Sequence, residues 1–223
     1  DMQDTYERVS NITSLGFNLR WRQQLVKLLS LREGMAVADL MGGSGETWRY
    51  VIPRIGSQGT LWNVDFSKSM CDYAAIRRKT IGHEGIHILQ EDVFANTIPD
   101  NSMDAIICIY GIKTLDKSRY KTLVKEAARI LKSSGQIGLV EISVPKWRLL
   151  QIPYMIYLRH FVPIVGALLL GNHENYRMLS RYMEHFQNCE QLASTFAAHD
   201  FDVTSHKFFF GCCTAITATL NSS

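Results

Sequence analysis

The chain has 223 residues with a net charge of +3 and opposite signs interspersed, long enough for one sizeable core and without a basic footprint for nucleic acid. Its charge runs, Arg77-Arg78-Lys79 and Lys117-Ser118-Arg119, read as solvated helix faces. Five cysteines with no C-x-x-C pair and seven scattered histidines argue against a zinc site or a disulfide framework; no metal is expected, and the thiols read as small core residues of a cytoplasmic protein.

In chain order, an apolar run from Met35 to Leu40 stops at Gly42, Gly43 and Gly45, and a helix-compatible segment follows. That is the pattern of a buried strand turning tightly into a helix, with side chains removed so that a ligand can touch backbone. Thr60–Val64 is a second apolar run ending in Asp65, twenty residues past Gly45, where such folds hold ribose hydroxyls. Ile86–Gln90 is strand-like and ends at Glu91-Asp92-Val93, which offers an acid to an adenine amino group. Asp104–Tyr110 is the most hydrophobic run, as a central strand covered on both faces requires. Tyr120–Leu131 places apolar residues at 120, 123, 124, 127, 128 and 131 on one helical face. Ser133-Ser134-Gly135 should stop that helix, and Gln136–Ser143 makes a fifth strand. Five alternations with short connections predict an α/β fold with a doubly wound, parallel sheet.

The stretch Trp147–Leu170 is apolar, but Arg159-His160, Pro153 and Pro163 divide it into runs too short to span a membrane. It reads either as two short core helices or as an apolar lid over a substrate, in contact at most with a membrane surface.

The glycine turn lacks a dinucleotide site's third glycine, since Trp48 stands there, and no Gly-Lys-Ser/Thr follows to make a P-loop. A nucleoside cofactor without pyrophosphate remains, and S-adenosyl-L-methionine fits best. Asp39 or Glu46 would meet its ammonium, although Asp39 also reads as a turn cap. Trp48, Tyr6 and Tyr110 offer aromatic faces to its sulfonium.

These motifs resemble class I S-adenosylmethionine-dependent methyltransferases, and within them the ubiquinone/menaquinone biosynthesis C-methyltransferase family. The likeness runs from Tyr6 to about Leu220. It rests on the Asp-Leu-x-Gly-Gly-Ser-Gly-Glu turn at 39–46, Val-Asp-Phe-Ser-Lys-Ser-Met at 64–70 and Ile-Pro-Asp-Asn-Ser-Met-Asp at 98–104. More specific are Ser14-Leu15-Gly16 followed by Trp21-Arg22, Tyr110 to Leu115, Glu141 to Pro145, and Asn175 to Leu179. The resemblance implies a single domain over 1–223 with a mostly parallel, seven-stranded, Rossmann-like sheet closed by an antiparallel C-terminal strand. It also implies that 147–185 is an apolar helical lid over the acceptor. Candidate cofactor contacts are Tyr6, Asp39, Gly43, Ser44, Gly45, Trp48, Asp65, Phe66, Met70, Asp92, Val93 and Ile109. Tyr110, His173 and Tyr176 are candidates for the acceptor pocket, and Lys113 for catalysis.

The chain departs from the family where Lys113 replaces an arginine proposed in relatives to help remove the ring proton, and Thr114 an asparagine. Arg and Lys differ wherever planar bidentate geometry matters. Trp48 and Ile109 stand where relatives place a cofactor-contacting threonine and serine. The expected activity is methylation of a small hydrophobic acceptor, phenolic or quinone-like, at carbon. Rivals are O-, N- or C-methylation or cyclisation in specialised metabolism, and a degenerate binding subunit. A homodimer is compatible with the sequence.

Overall fold

The computed structural model of the chain describes residues 11–170 and 174–221; for 167–170 and 174–177 it describes the backbone alone. After helix α1 (Phe17–Leu28), strand and helix alternate: β1 (Ala36–Leu40), α2 (Trp48–Ile55), β2 (Thr60–Val64), α3 (Lys68–Ile81), β3 (Ile86–Leu89), β4 (Met103–Ile109), α4 (Tyr120–Ile130) and β5 (Leu131–Ile142). Helices α5 (Arg148–Ile156), α6 (Val162–Leu170), α7 (Glu174–Phe186) and α8 (Glu190–Ala197) precede the hairpin β6 (Phe201–Phe208) and β7 (Cys213–Leu220).

The sheet order is β3-β2-β1-β4-β5-β7-β6. The first five strands pair in parallel, and β7 is antiparallel to both β5 and β6, as the resemblance implied. Alternation along each strand sends residues to two apolar layers. Ala38 and Leu40 of β1, with Ile106 and Cys108 of β4, pack beneath Leu123, Val124 and Ala127 of α4 and Phe196 of α8. Val37, Ala105 and Ile107 face the other way, against Val26 and Leu29 near α1, Trp48, Val51 and Ile55 of α2, and Ala74 of α3. Each side chain removed fully from water contributes about 1.5–3 kcal/mol, so the two layers hold the strand ends rigidly where the site forms.

Three details differ from the sequence expectations. Tyr110 leaves β4 with φ of 64°, a left-handed turn that ends the strand one residue early. Residues 131–135 do not form a separate loop: Leu131 already pairs with Met103, and a bulge with Ser134 at φ of 60° absorbs the extra residues before Gln136 pairs with Ala105. The two prolines do not split 147–170 into separate short helices. Between α5 and α6 lies a π-turn, Tyr157–Phe161, so helical backbone runs from Arg148 to Leu170. The Val162 N–H reaches back five residues to the Tyr157 carbonyl, and the widened turn accommodates Pro163, which has no N–H to give.

Candidate active site

The carboxyl ends of the parallel strands open into a cavity of about 560 Å³. Strand order arranges its wall. Asp65 follows β2, Asp39 lies on β1, Tyr110 follows β4, Ile142 ends β5, and Cys212 precedes β7. Acidic groups therefore stand at one side and apolar groups at the other.

The acidic side is built around the glycine turn. A Cβ on Gly42 would lie 2.1 Å from Asn63 Oδ1 and 2.7 Å from Asp39 Cγ, so the chain passes directly over these buried side chains. Gly43 has φ of 56°, which favours glycine, and a Cβ there would meet only Met70 Sδ, at 4.0 Å. Its outer face is an open cradle. The Asp65 carboxylate fixes this turn by accepting the Gly43 N–H at 2.9 Å and, through its other oxygen, the Ser67 N–H at 2.9 Å. A carboxylate has about four lone-pair sites, so both oxygens keep capacity for ribose hydroxyls.

Asp39 is 1% exposed, and neither of its oxygens has a hydrogen-bond donor among the described residues. Burial raises its pKa to about 7, against a weaker opposing pull from Arg22, while Asp65 adds to the rise. The Trp48 indole N–H lies near enough to lower it slightly, yet completes no hydrogen bond. Arg22 is paired with Glu46, so Glu46 is committed and Asp39 is the carboxylate left for a ligand's ammonium. Orphaned buried acceptors are costly. A cationic amino-acid tail at Asp39 with a ribose at Asp65 satisfies them, and S-adenosylmethionine has both.

At the centre, Lys113 Nζ donates to Glu141 Oε1 at 3.1 Å and to the Tyr110 carbonyl, while the Lys113 N–H donates to Glu141 Oε2 at 3.1 Å. Glu141 is fully buried and also accepts the Ile142 N–H. An ammonium has three protons, and these contacts engage two of them. The Tyr110 phenol donates to the Asn18 carbonyl at 2.9 Å, and burial pushes its pKa well above the usual range. Lys113 is thus anchored as a donor facing the cavity.

The far side is apolar. Phe17, Trp21, Ile142, Leu158, Val162 and Leu179 form it together with the rings of Tyr154 and Tyr157. Both phenols are occupied: Tyr154 donates to the Cys212 carbonyl at 3.3 Å and Tyr157 to the Thr13 carbonyl at 2.7 Å.

Of the residues singled out in the sequence, the cavity gathers Asp39, Gly43, Ser44, Asp65, Met70, Ile109, Tyr110 and Lys113. Trp48 does not face it. The ring is fully buried beneath Gly45, where a Cβ would come within 2.4 Å of it, and Gly45 thereby serves ring packing. Phe66, Asp92 and Val93 stand just beyond the cavity wall at the ends of β2 and β3, which the Glu91 N–H joins by donating to the Asp65 carbonyl at 3.2 Å. Phe66 is 79% exposed, Asp92 accepts the Phe94 N–H, and Val93 is buried in the core. Tyr6 and His173 lie outside the described residues, as does the side chain of Tyr176. Sequence reading missed Glu141 as the anchor of Lys113, Arg22 as the partner of Glu46, and the tyrosines of α5 and the π-turn. A lone acid inside the apolar run 137–142 was the one available signal, for Glu141.

The sequence profile of the ubiE/COQ5 methyltransferase family matches residues 1–220. The chain is 28% identical over 197 residues to the demethylmenaquinone methyltransferase of Staphylococcus aureus strain MRSA252, covering 88% of this chain and 80% of that one. It is 26% identical over 207 residues to the protein of the same name from Geobacillus stearothermophilus, covering 92% and 88%. Among solved structures, a SAM-dependent methyltransferase from Aquifex aeolicus superposes with a TM-score of 0.59 at 17% identity, over 89% of each chain. A geranyl diphosphate C-methyltransferase from Streptomyces coelicolor superposes with a TM-score of 0.64 at 11% identity, over 92% of this chain and 80% of that one. These two carry the fold alone. With the cradle, the Asp39 and Asp65 carboxylates beside it and the profile match together, the chain belongs to the ubiE/COQ5 methyltransferase family and is an S-adenosylmethionine-dependent methyltransferase.

Proposed function

We propose that the enzyme methylates a ring carbon of a hydrophobic phenolic acceptor, the reduced form of a quinone such as the demethylmenaquinone for which the two relatives above are named. The observation that carries this reading is the Lys113 ammonium, anchored on buried Glu141 between the acidic cradle and the apolar pocket. Bound S-adenosylmethionine supplies an electrophilic methyl group on a sulfonium. Asp39 would hold its ammonium and Asp65 its ribose, with Phe66, Asp92 and Val93 available to the adenine end. Residues 147–185 act as the lid over the acceptor.

The acceptor's hydroxyl gives up its proton to water, and Lys113 directs its remaining N–H at the resulting phenolate oxygen and stabilises it, which makes the neighbouring carbon nucleophilic. The phenols of Tyr110 and Tyr154 are kept protonated by burial, so neither serves as the base. Methyl transfer leaves one ring carbon bearing both the new methyl and its original hydrogen, and loss of that proton restores aromaticity. Among the described residues the carboxylates lining the cavity, Asp39, Glu46 and Asp65, all stand at the cofactor side, and the proton is assigned to water. In-line alignment and desolvation supply the rest of the acceleration, up to about 7–11 kcal/mol in favourable cases.

The test incubates the enzyme with methyl-labelled cofactor and a short-tailed, reduced demethylmenaquinone, and locates the label by NMR. A carbon-bound methyl supports the reading. An oxygen-bound methyl, or no transfer, overturns it.

A further inference from the structure

The helical run from Arg148 to Leu170 has two apolar faces. Tyr154, Tyr157, Leu158 and Val162 face the cavity. The opposite face exposes Leu149 (73%), Ile152 (57%), Ile156 (55%), Phe161 (51%) and Ile164 (53%). Residues three and four apart share a side of an α-helix. The steps 149 to 152 to 156, and 161 to 164, follow that rule, whereas 156 to 161 spans five residues. The π-turn supplies that step, because its hydrogen bond reaches back five residues and brings positions five apart to the same side. The turn therefore keeps one outward stripe in line while Tyr157 and Leu158 stay in the cavity wall. Five large exposed apolar side chains lie along one run, with Arg159 and His160 exposed among them and the Phe161 ring stacked on Tyr157, which is more apolar surface than singly scattered hydrophobics give.

Charge identifies what covers it. Residues 147–170 contain no Asp or Glu but include Arg148, Arg159 and His160, and Lys146 precedes them. Trp147 (58% exposed) and Phe210 (74% exposed) extend the patch at the start of the run, together on the rim of a second cavity. A two-fold contact would set this face against itself and bring its cations together. Two of them have partners on neighbouring elements, Arg159 with Glu184 and Lys146 with Glu190, but these exposed pairs are weak and exchange readily for phosphates. No helix among the described residues is long and apolar enough to cross a membrane. A lipid surface with anionic headgroups complements such a face, which would lie on the surface without spanning the bilayer.

We propose that the outward stripe Leu149–Ile164 docks the enzyme on an anionic lipid bilayer, with the helical run that covers the acceptor pocket as the contact. The assignment deepens the reading of a hydrophobic acceptor, because a lipid-tailed molecule then enters the pocket from the bilayer, but its test needs no acceptor. The full chain is sedimented with vesicles of phosphatidylcholine, and with vesicles in which phosphatidylglycerol replaces part of it. Binding to the second set, weakened by salt and by omission of phosphatidylglycerol, is expected. The double substitution Ile152→Glu, Ile156→Glu changes only exposed side chains. It should lower vesicle binding at least ~10-fold, with thermal melting and cofactor affinity unchanged. Wild-type protein that ignores phosphatidylglycerol vesicles, or a variant that binds them as well as wild type, overturns the proposal. So does a wild-type dimer in sedimentation equilibrium that the double substitution makes monomeric, since the stripe would then meet a second copy. Failure of methyl transfer in the separate acceptor assay would leave this result standing.

Discussion

The two halves of the cavity are built on different principles. The cofactor half is made of backbone and charge: a glycine turn, and two carboxylates, Asp39 and Asp65, that form no ion pair among the described residues. The acceptor half is apolar, and its polar atoms are already occupied by one another or by backbone, as in Tyr154, Tyr157 and the Lys113–Glu141 pair. The first half attracts a cation with hydroxyls. The second excludes water and accepts a flat hydrophobic ring. Substitutions in the first should therefore change cofactor affinity, and those in the second turnover or acceptor affinity.

The largest expected effect is Gly43→Val. A β-branched residue at φ of 56° carries strain of about 1–3 kcal/mol, and its side chain fills the cradle, so cofactor affinity measured by calorimetry should fall more than ~100-fold. Asp65→Ala comes next. It removes charge-assisted hydrogen bonds worth about 1.5–3 kcal/mol each and also frees the Gly43 and Ser67 N–H groups, so weaker binding should come with a less ordered turn in amide exchange.

Asp39 gives a pH test. Its pKa is about 7 in the fold against a usual 3.8. Between those values the folded, ligand-free chain keeps a proton that the unfolded chain has lost. Its stability therefore falls as pH rises through that window and is lowest above it. The cofactor ammonium favours the ionised form, so affinity should rise about tenfold per pH unit below the Asp39 pKa and level off above it. Calorimetric titration on both sides of pH 7 checks the sign; affinity falling with pH would assign the ammonium elsewhere. The smallest effect is Tyr157→Phe, which removes the bond to the Thr13 carbonyl, worth about 0.5–1.5 kcal/mol. It should raise the acceptor KM and leave cofactor affinity unchanged.

The same contrast explains what was legible in the sequence. Strands β1 to β3 are runs of four or five residues that end at a glycine turn or an acid, so this part of the sheet and the cofactor half could be read from consecutive residues, Asp39 to Ser44 and Val64 to Asp65. The acceptor half joins residues from α1, the end of β5, the 148–170 run, α7 and the β7 approach, which share no local period. The prolines at 153 and 163 signal a break in the sequence, yet Pro153 sits inside α5 and the π-turn accommodates Pro163. Trp48 stands in the glycine motif, which suggests a ligand contact, but the ring is fully buried under Gly45. Glu141 was visible only as part of a motif. Its role depends on β5 lying beside β4, which a local pattern does not encode.

Lys113 stands where the halves meet, so its replacement tests the account most directly. Lys113→Met keeps the length and apolar contact but leaves Glu141 buried without its cation; cofactor affinity and single-turnover rate are measured on the same preparation, after melting shows it folded. The expected result is a rate ~100–1,000-fold lower, the scale for losing one donor to a developing oxyanion, with cofactor affinity within about twofold of wild type. An unchanged rate, or loss of cofactor binding instead of rate, would contradict the division of the cavity and the place of Lys113 at its centre.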